Sequence, residues 1–195
     1  MKFFNYLLAL SAFVAFAFTN PEATNYAVDA AKTTITWTGA KVGGSHTGNI
    51  SLKEGSFSFD GEQLTGGSFT IDMTTITNTD LEGEYNGQLV GHLKSDDFFG
   101  VATYPTAKVE ITEVVAQGPG KYKVTADLTI KATTKEIKFP TTVEVSGNTV
   151  TAKADIIVDR SEYDVRYGSG SFFDDLGDKV IYDDFEISVE AVASK

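Results

Sequence analysis

Both arginines of this 195-residue chain, Arg160 and Arg166, lie in one stretch, DRSEYDVRYGSGSFFDD (159–175). Arginine is the side chain best suited to a planar, bidentate grip on a carboxylate or phosphate. The same stretch carries Asp159, Glu162, Asp164, Asp174 and Asp175, with Tyr163, Tyr167, Phe172 and Phe173 between them. Two roles follow. The guanidinium groups can pair with neighbouring carboxylates and pin a loop, a role that the density of local acids favours for Arg160. Alternatively they contact the anionic head of a ligand at an opening, where the four aromatics close over it.

Other chemistry is sparse. The two histidines, His46 and His92, are far apart with no HExxH spacing, and cysteine is absent, so no zinc ligand set is legible. His92 stands beside Leu89 and Leu93 and reads as a hydrogen-bonded histidine at a packing seam. His46, in GGSHTG, reads as a residue that orients a turn or stands at a cavity rim. Adjacent acids such as Asp96–Asp97 and Asp183–Asp184 project to opposite faces of a strand and form no acid/base dyad. DDLGDK lacks the twelve-residue ligand order of a calcium loop. GSGS lacks the third glycine and the strand-to-helix setting of a dinucleotide loop, and no GxSxG elbow occurs. No metal and no cofactor are expected from these residues. A small hydrolase or isomerase using His92, a filled-core interaction protein of the envelope and a non-enzymatic binding protein are the readings that stay open.

The elements that must position these residues are strands. Apolar residues alternate with polar ones, the period of a half-buried strand. TITWTG sets Ile35 and Trp37 on one face, SFSFD sets Phe57 and Phe59, and GSFTIDMT sets Phe69, Ile71 and Met73. AKVEITEV presents Val109 and Ile111, YKVTADLTIKA presents Leu128 and Ile130, and DDFEISVEAV presents Phe185. One dry face on strand after strand predicts antiparallel sheet, and about eight to ten such strands predict a closed barrel or a sandwich. One stretch departs from this period. DLEGEYNGQLVGHLKSDDFF places Leu81, Tyr85, Leu89 and Leu93 four apart, which predicts a short amphipathic helix across a barrel end or edge, weakened by its glycines. Whether the interior is packed solid or holds a ligand stays open, because aromatics on apolar faces serve both.

The N-terminus joins Lys2 to an apolar run, Phe3–Phe18, with no acid before Glu22. This predicts a signal peptide over residues 1–19 and a periplasmic or secreted product. The net charge of −11 removes the basic face that nucleic acid requires. A domain without cysteine must stand on its apolar core, which about 175 residues can supply.

Five stretches in order, WTGAKVGGSHTGNISLKEGSF, LTGGSFTIDMTTI, GHLKSDDFFGVATYPTAKVEIT, ADLTIKATTKEIKFP and DRSEYDVRYGSG, resemble the YceI-like family. The resemblance spans residues 26–193 and is most specific at His92–Phe99 with Tyr104–Pro105. It implies an all-β fold, an extended lipocalin-like antiparallel β-barrel with one short helix. It also implies an isoprenoid or other long-chain lipid as partner, held inside the barrel. On that footing Trp37, Phe57, Phe59, Phe69, Ile71, Val109, Ile111, Leu128, Ile130 and Phe185 become candidate cavity lining. Arg160, Tyr163, Arg166, Tyr167, Phe172 and Phe173 become its mouth. After Arg160–Ser161 the chain departs from the better known members, whose acidic-aromatic-glycine turn is replaced by a longer run, an elaborated rim.

Overall fold

The computed structural model describes residues 23–195, so the predicted signal peptide lies outside the described residues. Among the described residues nine strands follow one another: β1 Thr24–Val28, β2 Thr34–Lys41, β3 Gly44–Asp60, β4 Gln63–Asp72, β5 Thr106–Gly118, β6 Lys121–Ile130, β7 Thr133–Ser146, β8 Thr149–Asp159 and β9 Ile181–Ser194. All pairings are antiparallel, and the sheet closes because β2 pairs with both β3 and β9 while β3 also pairs with β4. β1 pairs with the far halves of the same two neighbours, β3 and β9. β1 and β2 therefore form one stave interrupted at 29–33, and the barrel has eight positions. Closure leaves no long sheet edge to aggregate.

The connections make the two ends different. At one end the strands turn back in tight hairpins, where Gly61, Gly120 and Gly147 take positive φ. The chain ends of β1 and β9 meet there too. The other end carries the two long connections. One runs from β4 through a 3-10 turn (Met73–Thr75) and α1 (Gly83–Lys94) to β5, and the other spans 160–180 between β8 and β9.

Period-two patterning places successive side chains in layers around the interior. Phe69, Val109 and Leu128 are in register on β4, β5 and β6. Trp37, Ile187 and Ile156 are in register on β2, β9 and β8. The hairpin end is filled: Phe59 is edge-on to Tyr26 with centroids 5.2 Å apart, and Phe57 is edge-on to Phe69 at 5.0 Å. Such pairs favour this tilted geometry over a stacked sandwich.

The helix forms where its spacing predicts, but with a narrower buried face. Leu93 is buried and Leu89 half-buried, whereas Tyr85 is 74% exposed and Leu81 precedes the first turn. A spacing of four overshoots the 3.6-residue turn by about 40° per step, so the line of apolar residues winds off the packed face. Three glycines, Gly83, Gly87 and Gly91, leave the helix dependent on that packing. Past its C-terminus, Phe98 and Phe99 fold back under it and join Leu93, Met73 and Ile76 in a second apolar cluster that covers this end of the barrel.

Candidate functional site

Between the aromatic plug and the helix lies a cavity of about 580 Å³. It exists because several inward positions are small. Ala152 on β8 faces Ala191 on β9, and Ala154 faces Val189; Ala152, Ala154 and Ala191 all line the space. A volume of this size lies in the range of sites for small organic ligands, ~300–1,000 Å³.

The walls hold most of the strand residues singled out from the sequence. Trp37, Phe57, Phe69, Ile71 and Val109 line the cavity. Ile111, Leu128, Ile130 and Phe185 do as well. Phe59 does not: it is 0% exposed and belongs to the plug between Tyr26 and Phe57. Phe57 and Phe59 share a face of β3, but Phe59 is one step nearer the closed hairpin end. Sequence reasoning missed Phe139 and Val189, which the same period-two signal marks, and it missed Phe98 and Phe99, whose wall position depends on the fold-back after α1.

The predicted mouth divides. Tyr167 lines the opening, edge-on to His92 with centroids 4.3 Å apart. Phe172 and Phe173 stand exposed on the outer side and do not line it. Arg166 is exposed too, bonded to Asp164 with its guanidinium 4.7 Å from the centroid of Phe172. Tyr163 is not at the mouth at all. It is 1% exposed, inside the apolar cluster, at the end of a 3-10 turn (Arg160–Tyr163) that Asp164 terminates in a left-handed conformation (φ 60°). Burial, with Glu162 and Asp159 adding to it, pushes its phenol up to about 12.

Arg160 locks its loop, but not through the nearby acids. It is 2% exposed and donates to three backbone carbonyls: Nη1 to Val165 at 2.7 Å, Nη2 to Ile181 at 2.9 Å and Nε to Tyr182 at 3.1 Å. Its carboxylate partner is Asp183, 3.3 Å away on β9, while Asp159 instead caps the following turn by accepting from Ser161 N–H at 2.8 Å. Burial lowers the guanidinium's pKa, opposed by the charges of Asp183 and Asp159. One edge of Arg160 still reaches the cavity wall, 5.3 Å from the ring centroid of Phe98.

The rest of the rim is polar. Lys41, His46, Asp178, Lys179 and Tyr182 surround the helix-end opening. His46 Nδ1 lies 2.8 Å from Asp80 Oδ2, and Asp80 Oδ1 accepts from Thr47 N–H at 2.9 Å and from Asn78. These bonds, the one to His46 foremost, hold the Asp80 carboxyl down at about 2. The pair tethers the segment leading into α1 to β3, so His46 has its ring nitrogen committed to structure. His92 is held by ring contacts with Phe98 and Tyr167 rather than by the hydrogen bond expected of it. Among the described residues no cluster of three or more His, Cys, Asp or Glu side chains is placed to hold a metal ion, and no helix is long and apolar enough to cross a membrane.

Comparison with known proteins gives a consistent picture. Residues 26–193 match the YceI-like domain. A UPF0312 protein of Shewanella denitrificans is 31% identical over 90 residues, 46% of this chain and 45% of that protein. One from Photorhabdus laumondii is 35% identical over 86 residues, 43% and 41% of the two chains. The alignments thus span about half the length of these curated relatives. Among solved structures, BcnA of Burkholderia cenocepacia superposes with a TM-score of 0.68 at 26% identity, covering 86% of this chain and 99% of that one. A polyisoprenoid binding domain from Saccharophagus degradans superposes with a TM-score of 0.66 at 18% identity, covering 87% and 97%.

Proposed function

This chain belongs to the YceI-like domain family, and on that premise we propose that it binds a long apolar chain, an isoprenoid or similar lipid, inside the barrel, without catalysing a reaction on it. The observation that carries this reading is the cavity of about 580 Å³ enclosed by Phe, Ile, Leu and Val side chains, with polar groups gathered at one opening. Each methylene taken from water into such a space is worth ~0.8 kcal/mol. A dozen carbons gross roughly 10 kcal/mol on that scale, enough to outweigh much of the cost of immobilising a flexible chain. The Saccharophagus degradans domain, described as polyisoprenoid binding, shares the fold and supports the ligand class. The reading includes export, on the strength of the apolar N-terminal run. It leaves a carrier or sequestering role to the polar rim, which exchanges ligand with the surroundings.

A cavity wall and a filled core respond oppositely to added bulk. Ala154 lines the space, opposite Val189 and Thr141 in register. Ala154→Trp is expected to fold with a melting temperature within a few degrees of wild type and to take up a fluorescent long-chain isoprenoid at least tenfold more weakly. Ala126→Phe is the control. Ala126 is fully buried and off the cavity, so the same kind of change overpacks the wall and costs ~1–3 kcal/mol. Unchanged uptake by Ala154→Trp, or a collapse of its stability equal to that of Ala126→Phe, would count against a ligand cavity.

A further inference from the structure

The inner end of the cavity holds one buried polar side chain that is left without a partner. Thr141 is an inward residue of β7, between Phe139 and Val143 in the alternation, and it lines the space. It is 7% exposed, and its Oγ1 has no hydrogen-bond partner. A buried hydroxyl without a partner is costly, because it has given up water for nothing. Other hydroxyls nearby are engaged: the oxygen of Tyr122, in register with Thr141 on β6, accepts from Leu64 N–H at 3.4 Å, and Thr33 donates to the Asp29 carbonyl at 2.9 Å and accepts from Val192 N–H at 3.3 Å. On the other side Thr141 faces Ala154, whose small side chain leaves room in front of the hydroxyl.

We infer that Thr141 is a binding subsite for an uncharged oxygen of the ligand, a carbonyl or hydroxyl, at the inner end of the cavity. This rests on the lipid-binding reading and narrows it: the chain ligand is oxygenated and lies with that oxygen towards the hairpin end. A carboxylate or phosphate is the wrong chemistry there. The inward residues around Thr141, namely Phe139, Val143, Tyr122, Val124, Ala152 and Ala154, carry no charge, and an ion without a partner in such surroundings is strongly disfavoured. Lys41, the last residue of β2, and Lys179, just before β9, stand at the opposite end, and the ammonium of Lys153, next to Ala154, lies on the outer surface paired with Glu190 at 3.0 Å. Threonine both donates and accepts, so a ketone oxygen receives its proton and an alcohol can use either mode.

The test uses a matched pair of probes, tetradecan-2-one and tetradecane, each measured by displacement of a fluorescent apolar dye from the full domain. The quantity read is the ratio of the two affinities. Thr141→Val keeps the shape and removes the hydroxyl; it is expected to lower the ketone-to-alkane ratio about tenfold, the 1.4 kcal/mol of one neutral hydrogen bond. Thr141→Ala should lower it similarly, and Thr141→Ser, which keeps the oxygen, should hold it within about twofold. If the ratio is the same in wild type, valine and alanine variants, the subsite does not exist although the cavity binds chains. Equal losses for both probes would mean that Thr141 only shapes the wall, and overturn it likewise. Should neither probe displace the dye from wild type, the cavity reading falls along with the subsite.

Discussion

Arg160→Leu is expected to lower the melting temperature by roughly 10 °C. The guanidinium is the donor for the carbonyls of Val165, Ile181 and Tyr182, and it faces Asp183. Leucine leaves these groups in place and removes what satisfied them. Breaking a buried charge pair from one side costs ~3–5 kcal/mol, and in a domain of this size each kcal/mol moves the midpoint about 2–4 °C. Arg160→Lys should recover less than half of the loss, since an ammonium lacks the planar fork that reaches three carbonyls at once. Thermal unfolding followed by circular dichroism measures this. A shift of under 2 °C for Arg160→Leu would place the residue among ordinary surface positions and remove its role as the lock of the 160–180 connection.

Gly48→Ala is expected to be nearly as damaging, for a steric reason. A Cβ at position 48 would stand 1.9 Å from the carbonyl oxygen of Thr77 and 2.8 Å from Cε2 of Trp37. Neither contact is tolerable, and the nearer one is backbone. The 77–80 segment is stitched along β3 by Thr77 N–H to Asn49 O and Thr79 N–H to Thr47 O, both 2.9 Å, and the Thr77 carbonyl accepts from Trp37 Nε1 at 2.9 Å. A methyl group there drives the segment off the strand and frees the indole. Overpacking of this kind costs ~1–3 kcal/mol, and an indole N–H left without its acceptor adds ~1–3. Because Trp37 lines the cavity, ligand uptake should fall together with stability. Wild-type melting and uptake in Gly48→Ala would show that the segment is free to move and that Trp37 does not depend on it.

What was legible in the sequence follows from how local each determinant is. The strands announce themselves through alternation, and the cavity wall with them, since Phe69, Val109 and Leu128 each face inward by the parity of their own strand. Parity does not say how far along the barrel a residue lies. Phe57 and Phe59 are equivalent in SFSFD, and only the pairing of Tyr26 with Phe57 across β1 and β3 reveals that the closed end begins beyond Phe57. Arg160 shows the same limit in another form. Its acidic neighbours in sequence suggested carboxylate partners, whereas its actual ones, Ile181, Tyr182 and Asp183, arrive from the start of β9 about twenty residues on. Tyr163 and Tyr167 are four apart and alike in type, yet one ends a 3-10 turn inside the core and the other, past the left-handed Asp164, stands at the opening. Thr141 looks like any β-branched residue in TTVEV; only the closed fold shows that its hydroxyl faces apolar space.

The most direct test of a lipid-filled barrel is to purify the protein without detergent, extract it with organic solvent, and quantify what is released by mass spectrometry. The expected extract holds close to one molecule of a single chain class per protein, rich in apolar carbon and carrying an uncharged oxygen, with a sharp drop in that yield from Ala154→Trp prepared in parallel. An extract holding only trace lipid, or the same mixture at the same yield from wild type and Ala154→Trp, would contradict it.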